Sequence, residues 1–269
     1  MAYKAVISDF DGTLVGEQVA VTKHLKEKIV RLRKKGLIFS IATGRGLQDD
    51  IFTAATRYLE LTAPQIIHGG ARIVEPISNK ILWQENISDD EALELIKLLT
   101  DYSIPFIVKK DEFFYTLDGL RDFSYDYTYD FRKLKINDVA DIPKIDINAR
   151  SAKLDLPTAM NLGHFLAKRF ENTLFTMVKD DNGRYGFDIT SKKASKKTAF
   201  IKFCEMLDLY PDEVVVIGDN YNDLPILKEA GLKIAMGNAP AELKKIADYI
   251  THIQEENGVG HVLDKFFFT

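Results

Sequence analysis

The sequence predicts an α/β protein in which a parallel-sheet core is interrupted by an inserted α+β domain. Three observations carry this. Residues 4–61 alternate short β-prone runs with amphipathic helical stretches, a β-α-β-α order that calls for parallel strands joined by crossover helices. The same alternation resumes after about residue 187. Between the two, residues 86–186 mix hairpins and helices without that order. The expected organisation is a Rossmann-like core of residues 1–85 and 187–269 around an α/β insert of residues 86–186.

Each element has a local reason. The first strand carries Val6 and Ile7 and ends in Asp9 and Asp11, which alternation puts on one side, before a turn at Gly12 and Thr13. Two carboxylates held this close repel unless a cation lies between them or one keeps a proton. Asp-Gly is also a hairpin signal, but a helical pattern follows instead of a returning strand. Thr22 is placed to cap a helix over 21–35, with Leu25, Ile29, Val30 and Leu32 at helical spacing and Gly36 closing it. A second strand, 37–42, runs into Thr43, Gly44, Arg45 and Gly46 and then a helix to about Leu61. Ile66 and Ile67 form a third strand, followed by Gly69-Gly70-Ala71 and a hairpin of 72–75 with 80–83.

In the insert, Ser88 and Glu91 read as a capping box that opens a helix to about Tyr102. Residues 106–109, 113–116 and 146–156 read as strands, 157–170 as a helix, and 173–179 with 184–189 as a hairpin. The segment 118–131 alternates Tyr125, Tyr127, Tyr129 and Phe131, yet Leu120, Phe123, Tyr127 and Phe131 fit a helix, the favoured reading, with the aromatics as packing core. After the insert, Ser195-Lys196-Lys197 opens a helix to Leu207. A fully apolar strand, 214–217, then leads into Gly218-Asp219-Asn220-Tyr221-Asn222-Asp223. A helix (224–230), a strand (232–235) and a short helix (241–246) follow.

Composition narrows the function. A net charge of -4 over 269 residues gives no overall electrostatic ground for binding nucleic acid or an anionic membrane. Cys204 is the single cysteine, which excludes an internal disulfide and a thiolate metal cluster. No apolar run approaches the ~20 residues that span a bilayer, and the first strand begins almost at Met1, leaving no room for a signal peptide. A cytoplasmic protein is expected.

In open α/β sheets ligands sit outside the carboxyl ends of the strands, so Asp9, Asp11, Thr43 and Asp219 share one rim. Thr43 offers a hydroxyl and, with the amides of Gly44 and Arg45, a site for an anion. Lys196 offers a point charge; Asp219 and Asp223, with Asn222, offer the hard oxygens that Mg²⁺ takes. Each has a plainer reading: a Thr cap, a lysine on a solvated face among Lys192, Lys193 and Lys197, a common Asp-Asn turn. A dinucleotide fingerprint is ruled out, since Asp49 stands where Gly44-Arg45-Gly46 would need its third glycine.

Taken together, Asp9-Phe10-Asp11-Gly12-Thr13, Thr43-Gly44-Arg45, Lys196 and the 218–223 loop resemble the four ordered motifs of the haloacid dehalogenase-like (HAD) phosphohydrolases. Ala235-Met236-Gly237-Asn238-Ala239 and Glu256-Asn257-Gly258-Val259-Gly260 resemble the C-terminal signature of the Cof-type branch, whose α/β cap is inserted between the second and third motifs. One departure is Gly69, at a position where that branch usually has asparagine. The resemblance implies a Mg²⁺-dependent phosphatase working through an aspartyl-phosphate on a small phosphorylated metabolite. It implies Asp9 as nucleophile and Asp11 as general acid and base. Mg²⁺ is expected on Asp9, the backbone carbonyl of Asp11, Asp219 and Asp223. Thr43, Gly44, Lys196 and Asn222 are expected on the phosphate, with Arg45 reaching toward the leaving group or the cap. A sugar-phosphate mutase, or a phospho-acceptor without turnover, stands as the alternative.

Overall fold

Strand β1 (Ala5–Ser8) is buried along its whole length, which its run of Ala, Val and Ile permits and a sheet covered on both faces requires. A computed structural model describes the protein over residues 3–16, 20–111, 113–117, 131–135, 137–180 and 182–268. Helix α1 (Lys23–Lys34) follows, with Thr22 as N-cap accepting from the Leu25 amide at 3.2 Å, as the sequence predicts. Then come β2 (Ile38–Ile41), α2 (Asp50–Tyr58), β3 (Gln65–Ile67), β4 (Arg72–Val74) and β5 (Ile81–Gln84).

The inserted stretch comprises α3 (Asp89–Asp101), β6 (Ile107–Lys110), β7 (Phe113–Thr116), β8 (Phe131–Lys133), β9 (Lys144–Ile147), α4 (Ala149–Ala152), α5 (Leu156–Arg169), β10 (Thr173–Lys179) and β11 (Tyr185–Ser191). The chain ends with α6 (Lys196–Met206), β12 (Val214–Gly218), α7 (Leu224–Leu227), β13 (Leu232–Ala235), α8 (Ala241–Ile246), β14 (Tyr249–Ile250) and α9 (Gly258–Phe267). Two compact units result: Met1–Trp83 with Ser195–Thr269, and Gln84–Ala194. The second junction lies beyond the expected 186/187 because β11 is an interior strand, paired with β10 and β9, and a cut there would fall inside it.

The first unit is a five-stranded sheet in the order β14-β13-β12-β1-β2, with every neighbouring pair parallel. Crossovers from β1 lead one way, through α1 to β2. Those from β12 lead the other way, through α7 and α8. The order therefore reverses between β1 and β12, the place where an α/β sheet opens a crevice at its carboxyl ends. Alternation sends Val6, Ile41, Val215 and Ile217 to one face, against Leu25, Ile29 and Leu32 of α1, Phe52 of α2 and Val262 of α9. It sends Ala5, Ile7, Val214 and Val216 to the other, against Phe200 and Phe203 of α6, Leu227 of α7 and Leu243 of α8. A bridge between Ala42 and Ile66 continues the sheet toward β3, which pairs antiparallel with β4.

The second unit is a six-stranded sheet, β10-β11-β9-β6-β7-β8, antiparallel except between β7 and β8. Apolar residues of one face (Val108, Ile145, Ile147, Phe187, Ile189) pack under Leu95, Ile96 and Leu99 of α3 and Ala159 and Leu166 of α5. The alternate positions carry charge. Lys144 is almost fully buried and pairs with Asp188 at 2.7 Å and Asp146 at 3.3 Å, and Asp146 also meets Lys109 at 2.7 Å.

Three local expectations change. Ser88 occupies the N-cap position of α3 but makes no capping bond with its side chain. Glu91, expected to reach back to it, instead accepts from the Asn172 amide at 3.0 Å and the Thr173 hydroxyl, tying α3 to the start of β10. Residues 146–156 break after Ile147 into the short helix α4. Phe131 begins β8, with its ring 5.6 Å from that of Phe114; the rest of the aromatic segment, 118–130, lies outside the described residues.

The Gly69-Gly70 step has a clear backbone logic. Gly69 is left-handed at φ 68°, a conformation that asparagine also tolerates, and a Cβ there meets nothing within 4 Å. Gly70, at φ 101°, lies so close to the entry of α6 that a Cβ would sit 2.2 Å from the Ser195 carbonyl. Gly69→Asn is thus expected to change unfolding free energy by less than about 1 kcal/mol. Gly70→Ala should cost about 3 kcal/mol or more. Urea unfolding monitored by circular dichroism reads both.

Candidate active site

Asp9 leaves the end of β1, where its amide donates to the Ile217 carbonyl at 2.8 Å and is locked to the neighbouring strand β12. That places it beside the loop following β12. Asp223 lies in this loop, almost fully buried, and its Oδ2 accepts from the amides of Asp219 and Asn220, both at 3.1 Å. Lys196, the first residue of α6, is 3% exposed, and its Nζ donates to Asp9 Oδ1 at 2.5 Å and to Asp223 Oδ1 at 2.6 Å. Its sequence neighbours Lys192, Lys193 and Lys197 are exposed. Ser195 explains the difference: it caps α6 by accepting from the Thr198 amide, which turns the next residue inward.

Asp219 completes the cluster. Thr13 Oγ1 donates to its Oδ1 at 2.8 Å, and Asn238 Nδ2 donates to its Oδ2 at 3.1 Å and to the Gly12 carbonyl at 3.2 Å. Asp9, Asp219 and Asp223 each offer a carboxylate oxygen, all within 4.8 Å of one another. Burial first, then the charge of Asp223, holds the Asp9 carboxyl well above the usual carboxylate range, against the pull of Lys196. Burial also pushes Asp219 up to about 6, although the hydrogen bond from Thr13 opposes the rise. Burial works against the charge of Lys196, yet Asp223 and Asp9 hold its pKa above the ordinary lysine value. With all three ionised, the carboxylates outnumber the one ammonium by two negative charges on hard oxygens. A divalent cation such as Mg²⁺ fits that donor set.

Asp11 stands apart from this buried group. Its side chain is 54% exposed and lies against Arg45, with Nε at 3.0 and 2.9 Å from the two oxygens and Nη2 at 2.7 Å from Oδ1. The exposed Asp11 and the buried Asp9 therefore occupy different environments, two residues apart.

Thr43 is buried at the end of β2. Its hydroxyl oxygen accepts from the Arg45 amide at 3.1 Å, which leaves its O–H to donate elsewhere. The expected anion site on helix-opening amides changes here, because the Arg45 amide is engaged by Thr43. Helix α2 opens only at Asp49, the N-cap that accepts from the Phe52 amide. Gly44 lies on the same turn, and Asn222 is exposed on the loop after β12. Arg45 turns onto Asp11 and Asp49, with Nη1 2.8 Å from both oxygens of Asp49.

Three residues gain importance that residue types alone did not reveal: Thr13, Asn238 and Asp49. Asn238 had a signal, since its Ala-Met-Gly-Asn-Ala stretch follows β13 onto the same rim. Asp49 had one too, standing four residues after Arg45 and three before Phe52, the spacing of a cap.

A family model for haloacid dehalogenase-like hydrolases matches residues 6–263. The chain is 30% identical over 265 residues to a phosphoglycolate phosphatase of Methanopyrus kandleri, covering 97% of this chain and 95% of that protein. It is 25% identical over 289 residues to the phosphatase YwpJ of Bacillus subtilis, covering 97% and 98% of the two chains. The solved structure of a HAD subclass IIB sugar phosphatase superposes with a TM-score of 0.82 at 18% identity, covering 99% of this chain and all of that one (100%). With β1, β2, α6 and β12 each delivering a motif residue to one rim, the chain belongs to the haloacid dehalogenase-like hydrolase family.

Proposed function

We propose that the protein is a Mg²⁺-dependent phosphatase that hydrolyses a small phosphorylated metabolite, a sugar phosphate or similar compound, through a phosphorylated Asp9. One observation carries the reading: a buried carboxylate, Asp9, is held by Lys196 among Asp219 and Asp223, while a second carboxylate two residues on stays accessible. The phosphatase relatives support it.

Asp9 supplies the attacking oxygen. As its bond to phosphorus forms, the bond to the substrate's leaving oxygen breaks, and Asp11 gives that oxygen a proton. Water then attacks the phosphorus of the aspartyl-phosphate, Asp11 takes the water's proton, and Asp9 leaves as a free carboxylate. Thr43, through its hydroxyl, and Lys196, through its ammonium, hold phosphoryl oxygens, with Gly44 and Asn222 on the same rim. Mg²⁺ would be held by Asp9, Asp219, Asp223 and the Asp11 carbonyl, and when bound it supplies positive charge to the phosphoryl oxygens and relieves the carboxylate excess. Phosphoryl transfer asks chiefly for positioning and charge stabilisation, which this set provides. The inserted unit is assigned the role of a cap that selects the substrate.

Asp9→Asn is expected to fold and to lose p-nitrophenyl phosphate hydrolysis by roughly 10³-fold or more, since the nucleophile itself is removed. Near-normal turnover would overturn the assignment. Chelation with EDTA should abolish activity, and Mg²⁺ should restore it. Because the Asp219 carboxyl holds its proton up to about 6, a proton competes with the cation below that value. Mg²⁺ affinity measured by calorimetry is therefore expected to fall as pH drops through about 6, and a flat profile would count against Asp219 as a ligand.

A further inference from the structure

We propose that Asp49 is a positioning residue for Asp11: acting through Arg45, it sets how well the chain delivers a proton to a poor leaving group. The inference rests on the phosphatase reading above, in which Asp11 is the general acid.

Asp11 needs outside help to hold one orientation. Its side chain is 54% exposed, and among the described residues it hydrogen-bonds to Arg45 alone. An exposed ion pair of this kind contributes about 0–1 kcal/mol, too little to fix two flexible side chains by itself. Here Arg45 has a second anchor. Its Nε and Nη2 fork onto Asp11 while Nη1 lies 2.8 Å from both oxygens of Asp49, whose side chain is 10% exposed. Asp49 is itself fixed twice: its Oδ1 accepts from the Phe52 amide at 3.0 Å as the N-cap of α2, and its own amide donates to the Gly46 carbonyl at 3.0 Å.

The guanidinium is confined from other sides as well. It lies over the Phe10 ring at 5.4 Å, and Phe10 meets Phe52 edge-on at 5.7 Å. At its root, the Arg45 amide donates to Thr43 and its carbonyl accepts from the His68 amide. The circuit from Phe52 through Asp49 and Arg45 to Asp11 closes on Phe10, the residue between the two catalytic carboxylates. Removing the Asp49 carboxylate takes away the buried ionic anchor of the guanidinium, leaving Arg45 its backbone ties and the contact with the Phe10 ring, and Asp11 a less firmly held partner.

The consequence lies in the first chemical step. When the P–O bond to the leaving group breaks, its electron pair stays on the leaving oxygen, and Asp11 must present its O–H within hydrogen-bond reach at that moment. A good leaving group such as p-nitrophenolate departs without the proton. Phenolate, the conjugate base of an acid about as weak as a tyrosine, depends on it.

Asp49→Asn separates this role from structure, because asparagine is an equally good N-cap and keeps an acceptor for Arg45 while losing the charge and one of the two oxygens. The readout is kcat/KM with saturating Mg²⁺ for p-nitrophenyl phosphate and phenyl phosphate. This quantity runs through leaving-group departure and excludes the later hydrolysis of the aspartyl-phosphate. The expected result is a loss of about 10-fold or more on phenyl phosphate and of less than about 3-fold on p-nitrophenyl phosphate, a weaker version of the pattern expected for Asp11→Asn. Asp49→Ser, which also keeps a capping oxygen but loses both Arg45 contacts, should widen the gap. Equal losses on the two substrates, or no loss on either, would overturn the positioning role and leave the phosphatase reading standing. If the wild-type protein turns over neither substrate, both fall.

Discussion

The arrangement depends on one ammonium group among three carboxylates. Lys196 is buried between Asp9 and Asp223, with Asp219 close by, and burying so much like charge carries a desolvation cost of several kcal/mol per ion. The pairing with Lys196 and the amides that feed Asp223 offset part of it. The remaining carboxylate excess is what a hard divalent cation would neutralise. A site of this kind has to be imposed by the surrounding structure, since the charged groups alone would not choose it.

The scaffold imposes it through parallel strands. β1 and β12 are adjacent, in register from Ala5 opposite Val214 to Ser8 opposite Ile217, and buried throughout. Register error is costly there, because a one-residue slip would reverse every side chain between the two core faces. The strand ends are therefore fixed relative to each other, and with them Asp9 and the loop carrying Asp219 and Asp223. α6 delivers Lys196 from one face of the sheet, and its entry is set by close approach to Gly70. α2 lies on the other face and carries Asp49, which holds Arg45 and so Asp11. Asp9 and Asp11, the proposed nucleophile and proton carrier, are thus held from opposite sides of the sheet, which lets their environments differ although they are two residues apart.

The same molecule shows where local patterns stop being informative. Thr22 caps α1 as its spacing predicts because that bond closes within four residues. Ser88 and Glu91 have the same local grammar and do not form their box, because Glu91 finds stronger partners at Asn172 and Thr173, far away in sequence and adjacent in space. The strand expected over 146–156 yields to a turn of helix once Ile147 has finished pairing with Phe187.

By itself the sequence determined the α/β class, the split of the parallel core around an insert, and the four loops bearing Asp9 and Asp11, Thr43, Lys196, and Asp219 with Asp223. These follow from hydrophobic period and from motifs a few residues long, which are properties of the chain's neighbourhood. The motif pattern already singled out Lys196 among four clustered lysines, and tertiary structure decided that it lies buried between Asp9 and Asp223. It also decided that Thr13 and Asn238 hold Asp219, that Arg45 turns onto Asp11, and that Asp49 anchors it. Apart from the Arg45–Asp49 pair, which spans only four residues, these are contacts between segments distant along the chain. Burial and charge pairing distinguish such residues, and both exist only once the strands are in register.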